Sequence, residues 1–205
     1  MTGPVPNGPP QRAPRTDIRE RVFNARSYTP IPIAIAALVL AETTWTTYVA
    51  GALTMLVGES LRIWAVGYAG SATRTTRGVG GEVLVVCGPF AHVRNPLYLG
   101  NFFISLGVCI MAWAWMPWML VLYVALFGVQ YAMIVSLEEE HLRAEFGESY
   151  TVYAAEVPRF VPRPTPRHTS QTLEFRLGSA MRSERSTLGN ILLVAVALGL
   201  RWGFG

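Results

Sequence analysis

Two short stretches concentrate the side chains able to do chemistry. The first, Gly88-Pro-Phe-Ala-His-Val-Arg-Asn-Pro-Leu-Tyr-Leu-Gly100, gathers His92, Arg94, Asn95 and Tyr98 between two apolar runs. Pro89 and Pro96 fix φ and steer the residues before them away from helix, so 88–95 reads as a shaped loop. Pro96 suits the first position of the apolar helix that follows, with Asn95 as its N-cap. A helix N-terminus beside Arg94 is able to hold an anionic group. The second stretch carries Glu138, Glu139, His141 and Arg143 where another apolar run ends. On a helix Glu138 and His141 share a face, and Glu139 meets Arg143 at i,i+4. Arg159 arrives from the extended, clamp-like segment Val157-Pro-Arg-Phe-Val-Pro162. Acids followed by Tyr150 and Tyr153 suit a ligand carrying both an ammonium and an aromatic ring. Glu139 and His141 are the groups placed to remove a proton from an acceptor. Each stretch also has a plain reading, a connecting loop in one case and a solvated helix end in the other.

The elements that must position these groups are apolar helices. Ile31–Ala41 is short for a span, which needs about 20 residues, and is expected to form half of a tight hairpin. Glu42 and the threonines after it would lie near the far surface, with Trp45 and Tyr48 as interface aromatics. Further spans are expected at about 48–70, 97–115 and 119–137, with a last short apolar helix over 190–202. Gly51, Gly58 and Gly67 allow close helix approach, and Glu59 and Arg62 pair at i,i+3 within the bundle. The helix that begins at Met119 runs on past Glu138 and ends at Gly147 as a C′ residue. Thr16–Tyr28 and Thr172–Arg185 read as amphipathic segments lying at the interface. Residues 71–87 form a polar link containing Arg74, Arg77 and the turn Gly78-Val-Gly-Gly81, followed by a short extended Val83–Val86.

Composition agrees with a membrane setting. The 205 residues are 51% hydrophobic and 15% charged, with mean hydropathy +0.33, against about 25% charged in soluble domains. All 17 basic residues are Arg, which excludes Schiff-base and catalytic-ammonium chemistry. The Arg residues flank apolar segments, which points to anionic lipid rather than nucleic acid. Cys87 and Cys109 have no metal spacing and imply no disulfide framework. Residues 1–14 are rich in Pro and Gly, lack the apolar core of a signal peptide, and read as a disordered tail. Three His without ligand spacing predict no metal site. The N-terminal segment, 71–95 and 138–185 hold nearly all the Arg, whereas the turns at 42–47 and 114–118 hold none. By the positive-inside rule the Arg-rich end is cytoplasmic, so the loop and the acidic helix end face each other there.

Gly88–Gly100 resembles the Gly-Pro-Tyr-x-x-Val-Arg-His-Pro-x-Tyr-x-Gly signature of the isoprenylcysteine carboxyl methyltransferase and phospholipid methyltransferase superfamily. A second signature is matched by Glu138, Glu139, Leu142, Phe146, Gly147, Tyr150, Tyr153, Val157, Pro158 and Pro162. The likeness covers roughly 51–163. It implies an all-α integral membrane protein of about five transmembrane helices, with a cytoplasmic cofactor-binding region formed by the 88–100 loop and the 138–163 segment. The implied domains are a tail over 1–28, a transmembrane methyltransferase domain over 29–163, and an amphipathic linker with a C-terminal membrane helix over 164–205. The implied activity is methyl transfer from S-adenosylmethionine to a lipophilic acceptor, a carboxylate, amine or thiol, with phospholipid head-group N-methylation as the alternative. The cofactor-binding residues are then His92, Arg94, Asn95, Tyr98, Glu138 and Glu139, and the candidate catalytic residues are Glu139, His141 and Arg159. The acidic pair suits the cofactor's ammonium, and the helix N-terminus near Asn95 suits its carboxylate. Asn95 stands where the family has His; it cannot titrate near neutrality, which tilts the reading toward acceptors that need no base, although His92 could compensate. A bacterial cytoplasmic membrane is the expected location, with membrane lipids as partners. Two competing classes are a nicotinamide-dependent sterol-type reductase, which the acidic pair disfavours by repelling nucleotide phosphate, and a non-catalytic scaffold.

Overall fold

The computed structural model describes residues 17–26, 28–70 and 83–204. The expected tail, and the Arg74, Arg77 and glycine-turn part of the polar link, lie outside the described residues. Among the described residues there are six helices: α1 (Ile18–Ala25), α2 (Pro30–Val39), α3 (Trp45–Ala69), α4 (Pro96–Ala112), α5 (Trp118–Glu156) and α6 (Leu177–Phe204), with a short 3-10 turn at Gly88–Ala91. No strand occurs among the described residues. Three helices, α3, α5 and α6, are long and apolar enough to cross a membrane. The α1–α2 pair, bent by 47°, makes a fourth if it counts as one broken span, and α4 is a shorter apolar helix. The chain is an all-helical integral membrane protein.

Glycine brings the two central helices together. A Cβ at Gly51 would stand 2.5 Å from the Gly107 carbonyl oxygen, and one at Gly58 would stand 2.6 Å from that of Gly100. The α3–α4 crossing is therefore a contact between backbones, the small-residue packing that membrane helices use where burial from water gives no driving force. At one end, the Glu42 backbone N–H donates to the Ala112 carbonyl (2.8 Å) and the Thr43 hydroxyl to that of Met111 (3.0 Å). This end carries the aromatic cluster Trp45, Tyr48 and Trp202 and, besides Glu42, the single charge of Arg201 near Val39. The opposite end holds the loop, the acidic stretch and most of the arginines.

Two expectations about helix ends need correction. Thr172–Arg185 is not a separate interfacial helix: residues 172–176 are irregular and α6 runs unbroken from Leu177 to Phe204. No proline interrupts that run, and Glu184, expected at the interface, is fully buried beside Arg62, whose guanidinium reaches it at 2.7 Å. Asn95 does occupy the N-cap position of α4, but its side chain caps nothing; it donates instead to the Arg159 carbonyl at 3.0 Å. The acidic helix breaks at Gly147 as its position suggests, with φ 55° and ψ −123°. That left-handed backbone suits glycine, and about two and a half new helical turns follow it to Glu156.

Candidate active site

The residues after α5 form a strap that lies along the central loop. The Arg94 N–H donates to the Pro158 carbonyl (2.9 Å), Arg163 N–H to His92 (3.0 Å), and Arg167 N–H to Ala91 (2.9 Å). Further on, Gln171 brackets Val86 and Leu84 through its side-chain amide, and the Arg176 N–H reaches the Gly67 carbonyl at 2.9 Å. The prolines of the strap leave backbone groups unable to continue a helix, and these are satisfied by the loop. The Tyr153 hydroxyl, on the last turn of α5, donates to the Phe90 carbonyl at 2.8 Å. Loop, helix end and strap thus form one unit.

Glu139 is the centre of that unit and only 2% exposed. Arg159 holds it bidentately, Nε to Oε1 at 3.0 Å and NH2 to Oε2 at 2.6 Å. Arg94 NH1 lies 2.8 Å from Oε1, and Arg143 NH2 3.6 Å from Oε2. The fork of a guanidinium matches both oxygens of a carboxylate, which makes such pairs strong and well oriented. The hydrogen bond to Glu139 holds Arg159 above its ordinary guanidinium value. One carboxylate among three guanidiniums leaves the cluster positive. The Nε of Arg94 is buried and makes no well-formed hydrogen bond, while the Tyr150 hydroxyl lies against the same guanidinium; a buried donor of this kind is open to an acceptor.

Glu138 has the opposite surroundings. The Tyr98 hydroxyl donates to its Oε1 at 2.5 Å, while no hydrogen bond reaches Oε2 among the described residues. Tyr98 sits edge-on to Tyr131, with ring centroids 4.7 Å apart. The adjacent acids therefore present different chemistry: Glu139 is enclosed by cations, and Glu138 faces phenols, feels the Arg26 guanidinium through space and keeps one oxygen without a hydrogen bond.

The structure joins Arg94, Glu139 and Arg159 directly, ties Asn95 to Arg159, and joins Tyr98 to Glu138. It places His92 at the edge, where Nδ1 lies 2.9 Å from the Arg163 carbonyl and the ring sits 6.0 Å from that of Trp64. With a carbonyl as partner, Nδ1 must carry the proton, and His92 fastens the strap. His141 stands apart: it is exposed and pairs with Glu145 at 3.4 Å rather than with the groups around Glu138 or Glu139. Sequence reasoning did not single out Asn101 or Tyr131. Asn101 accepts from Arg62 and donates to the Tyr131 hydroxyl at 3.1 Å. An amide inside an apolar helix was the available signal, because such a group is costly in a membrane unless it is paired.

A family model described as phospholipid methyltransferase matches residues 46–149, more than half of the chain. The match contains both the central loop and the acidic pair; α1, α2, the strap and α6 lie outside it. No curated protein and no solved structure matches the chain. With the two signatures bonded to each other on a glycine-packed helix pair, and the family model spanning both, the chain belongs to the phospholipid methyltransferase family.

Proposed function

We propose that the protein transfers a methyl group from S-adenosylmethionine to a lipophilic acceptor reached from the membrane. The observation that carries this reading is the direct bonding of the two signatures, Arg94 and Arg159 to Glu139 and Tyr98 to Glu138. The residues fit the charged end of that cofactor. The unpartnered Nε of Arg94 and the cationic excess around Glu139 suit its carboxylate, and the open oxygen of Glu138 suits its ammonium. This assignment divides the acidic pair that the sequence alone treated as one ammonium site. Bound there, S-adenosylmethionine supplies an electrophilic methyl group on a sulfonium.

The protein's own task is then orientation and exclusion of water, the main sources of rate for an in-line displacement. The strap pins the loop through backbone bonds, so Arg94 and Tyr98 are held before any ligand arrives. A carboxylate or thiolate acceptor requires no proton removal. Glu139 has both oxygens engaged by guanidiniums and His141 faces solvent, so neither is well placed as a base, which favours such acceptors. A second reading, N-methylation of a phospholipid head group, is favoured by the family's description; the amine would then lose its proton to solvent or to Glu138. The Arg-rich end faces the cytoplasm of a bacterial membrane by the positive-inside rule. Residues 29–163 act as the methyltransferase domain, with 164–205 wrapping it.

The test is a titration of the protein in nanodiscs with S-adenosylmethionine and, separately, NADPH, followed by incubation with methyl-labelled cofactor and a membrane lipid extract. Binding of the first alone, with label appearing in the lipid fraction, supports the reading. Binding of NADPH, or of neither, contradicts it.

A further inference from the structure

A cavity of about 320 Å³ opens beside Tyr98, on the membrane side of the acidic pair. That volume lies in the range of small-ligand sites. Its polar wall is built in advance: Asn101 is fixed at both ends of its amide, by Arg62 and by Tyr131, and Tyr131 in turn lies against Tyr98. Met55, Ile104 and Val108 supply the apolar part, suited to an acyl or prenyl chain. The remaining sides come from outside the family-matched segment. Arg26 and Pro30, at the α1–α2 junction, close one side, and Thr187 and Asn190 of α6 close another.

Among the described residues, Arg26 is the single cation lining the cavity. Its NH1 donates to the Phe23 carbonyl at 2.9 Å and its guanidinium carbon lies 3.7 Å above the Phe23 ring, so the group is held in place. It makes no salt bridge among the described residues, although its neighbour on the same helix, Arg19, pairs with Glu140 at 2.9 Å and docks α1 on α5. Arg26 attracts the Glu138 carboxylate through space without bonding to it, and a guanidinium fixed by an aromatic face and not bonded to an acid is a recognition group for a phosphate or carboxylate.

We propose that this cavity is the acceptor chamber, and that Arg26 selects amphiphiles bearing an anionic group, phosphate or carboxylate, close to the methyl-accepting atom. The inference rests on the methyltransferase reading of the adjoining site. It places acceptor selection on the α1–α2 junction and α6, which lie outside the family-matched segment, and leaves cofactor binding to the loop and the acidic pair. Selection and chemistry are thereby carried by different parts of the chain.

Binding is measured without turnover, in detergent micelles, for two probes: a short-chain phosphatidylethanolamine and a long-chain primary amine that lacks the phosphate. Wild type, Arg26→Ala and Arg26→Lys are compared, with S-adenosylmethionine affinity measured in parallel. Arg26→Ala should weaken phosphatidylethanolamine binding about tenfold, the loss of one charge-assisted contact, with Arg26→Lys recovering most of it. Binding of the plain amine and of S-adenosylmethionine should stay within about twofold. Equal losses for both probes, or no loss for either, overturn the proposal. So does competition by inorganic phosphate as tight as the lipid, which would make the site one for small anions. If S-adenosylmethionine fails to bind while the Arg26 effect persists, the cofactor reading falls and the lipid site stands.

Discussion

Glu139 and Arg62 each stand at the centre of a charged cluster, and among the described residues the two clusters are built in opposite proportions. Around Glu139 three guanidiniums share one carboxylate, and two of them face solvent: Arg143 is 51% exposed and Arg159 39%. Around Arg62 one guanidinium lies between two acids, Glu59 and Glu184, which are both buried. The first cluster draws its members from a loop, a helix end and a strap, and leaves a buried donor unused. The second draws them from α3 and α6, elements that run side by side through the bundle. An unfilled donor beside excess positive charge marks a place for an anionic ligand. A charged group enclosed between two long helices fixes those helices to each other, at the cost of desolvation that only good geometry offsets.

The contrast can be broken from either side. The largest effect is expected from Glu139→Ala. It strands Arg94 in a buried position and releases the strap, lowering stability by about 3 kcal/mol, most of it from Arg94 because exposed partners contribute little. Thermal unfolding in detergent should show the loss, and S-adenosylmethionine binding should vanish with it. Arg62→Met removes a contact to two buried acids and should also cost about 3 kcal/mol by loosening α6 from α3, yet leave cofactor affinity unchanged in the folded fraction. If Arg62→Met abolished cofactor binding at full stability, the division into ligand cluster and scaffold cluster would be wrong.

Smaller changes sharpen the difference between the neighbouring acids. Tyr98→Phe removes the donor to Glu138 and should weaken S-adenosylmethionine about tenfold, a charge-assisted hydrogen bond's worth, with little change in melting temperature. Replacement of Gly147 by Ala forces an L-residue into a left-handed backbone and should cost about 1 kcal/mol. His141→Ala should be the mildest, within about 0.5 kcal/mol in stability and without effect on the rate of methyl transfer. A large rate loss in that variant would return His141 to the catalytic set.

Much of this was legible in the sequence because the relevant signals are local. Pro96 after Asn95 announced a helix start, Gly147 announced a break, and the glycines of α3 announced a close crossing; each depends on backbone sterics that act within a few residues. The two signatures were legible for the same reason, since their order and spacing survive in the chain. Pairings set by tertiary geometry were not. Arg94 and Arg159 are far apart in sequence, and nothing local says that both choose Glu139, or that Glu138 turns toward Tyr98 instead. Arg62 does pair with Glu59 at i,i+3 (3.8 Å), as the spacing announced, but the closer partner, Glu184 at 2.7 Å, lies 122 positions on and had no local signal. Periodicity could not reveal that α6 continues through its charged first half, because a buried Glu184 and an interfacial one have the same sequence pattern.

In the proposed cofactor site, Arg94 receives the carboxylate of S-adenosylmethionine while Glu138 receives its ammonium. The most direct test compares S-adenosylmethionine with its decarboxylated analogue on wild type and Arg94→Gln, by titration in nanodiscs. Wild type should bind the analogue about tenfold more weakly, one charge-assisted contact, and Arg94→Gln should bind the two alike, because the group that distinguishes them is gone. Equal affinities in wild type, or a preference that survives in Arg94→Gln, would contradict the claim.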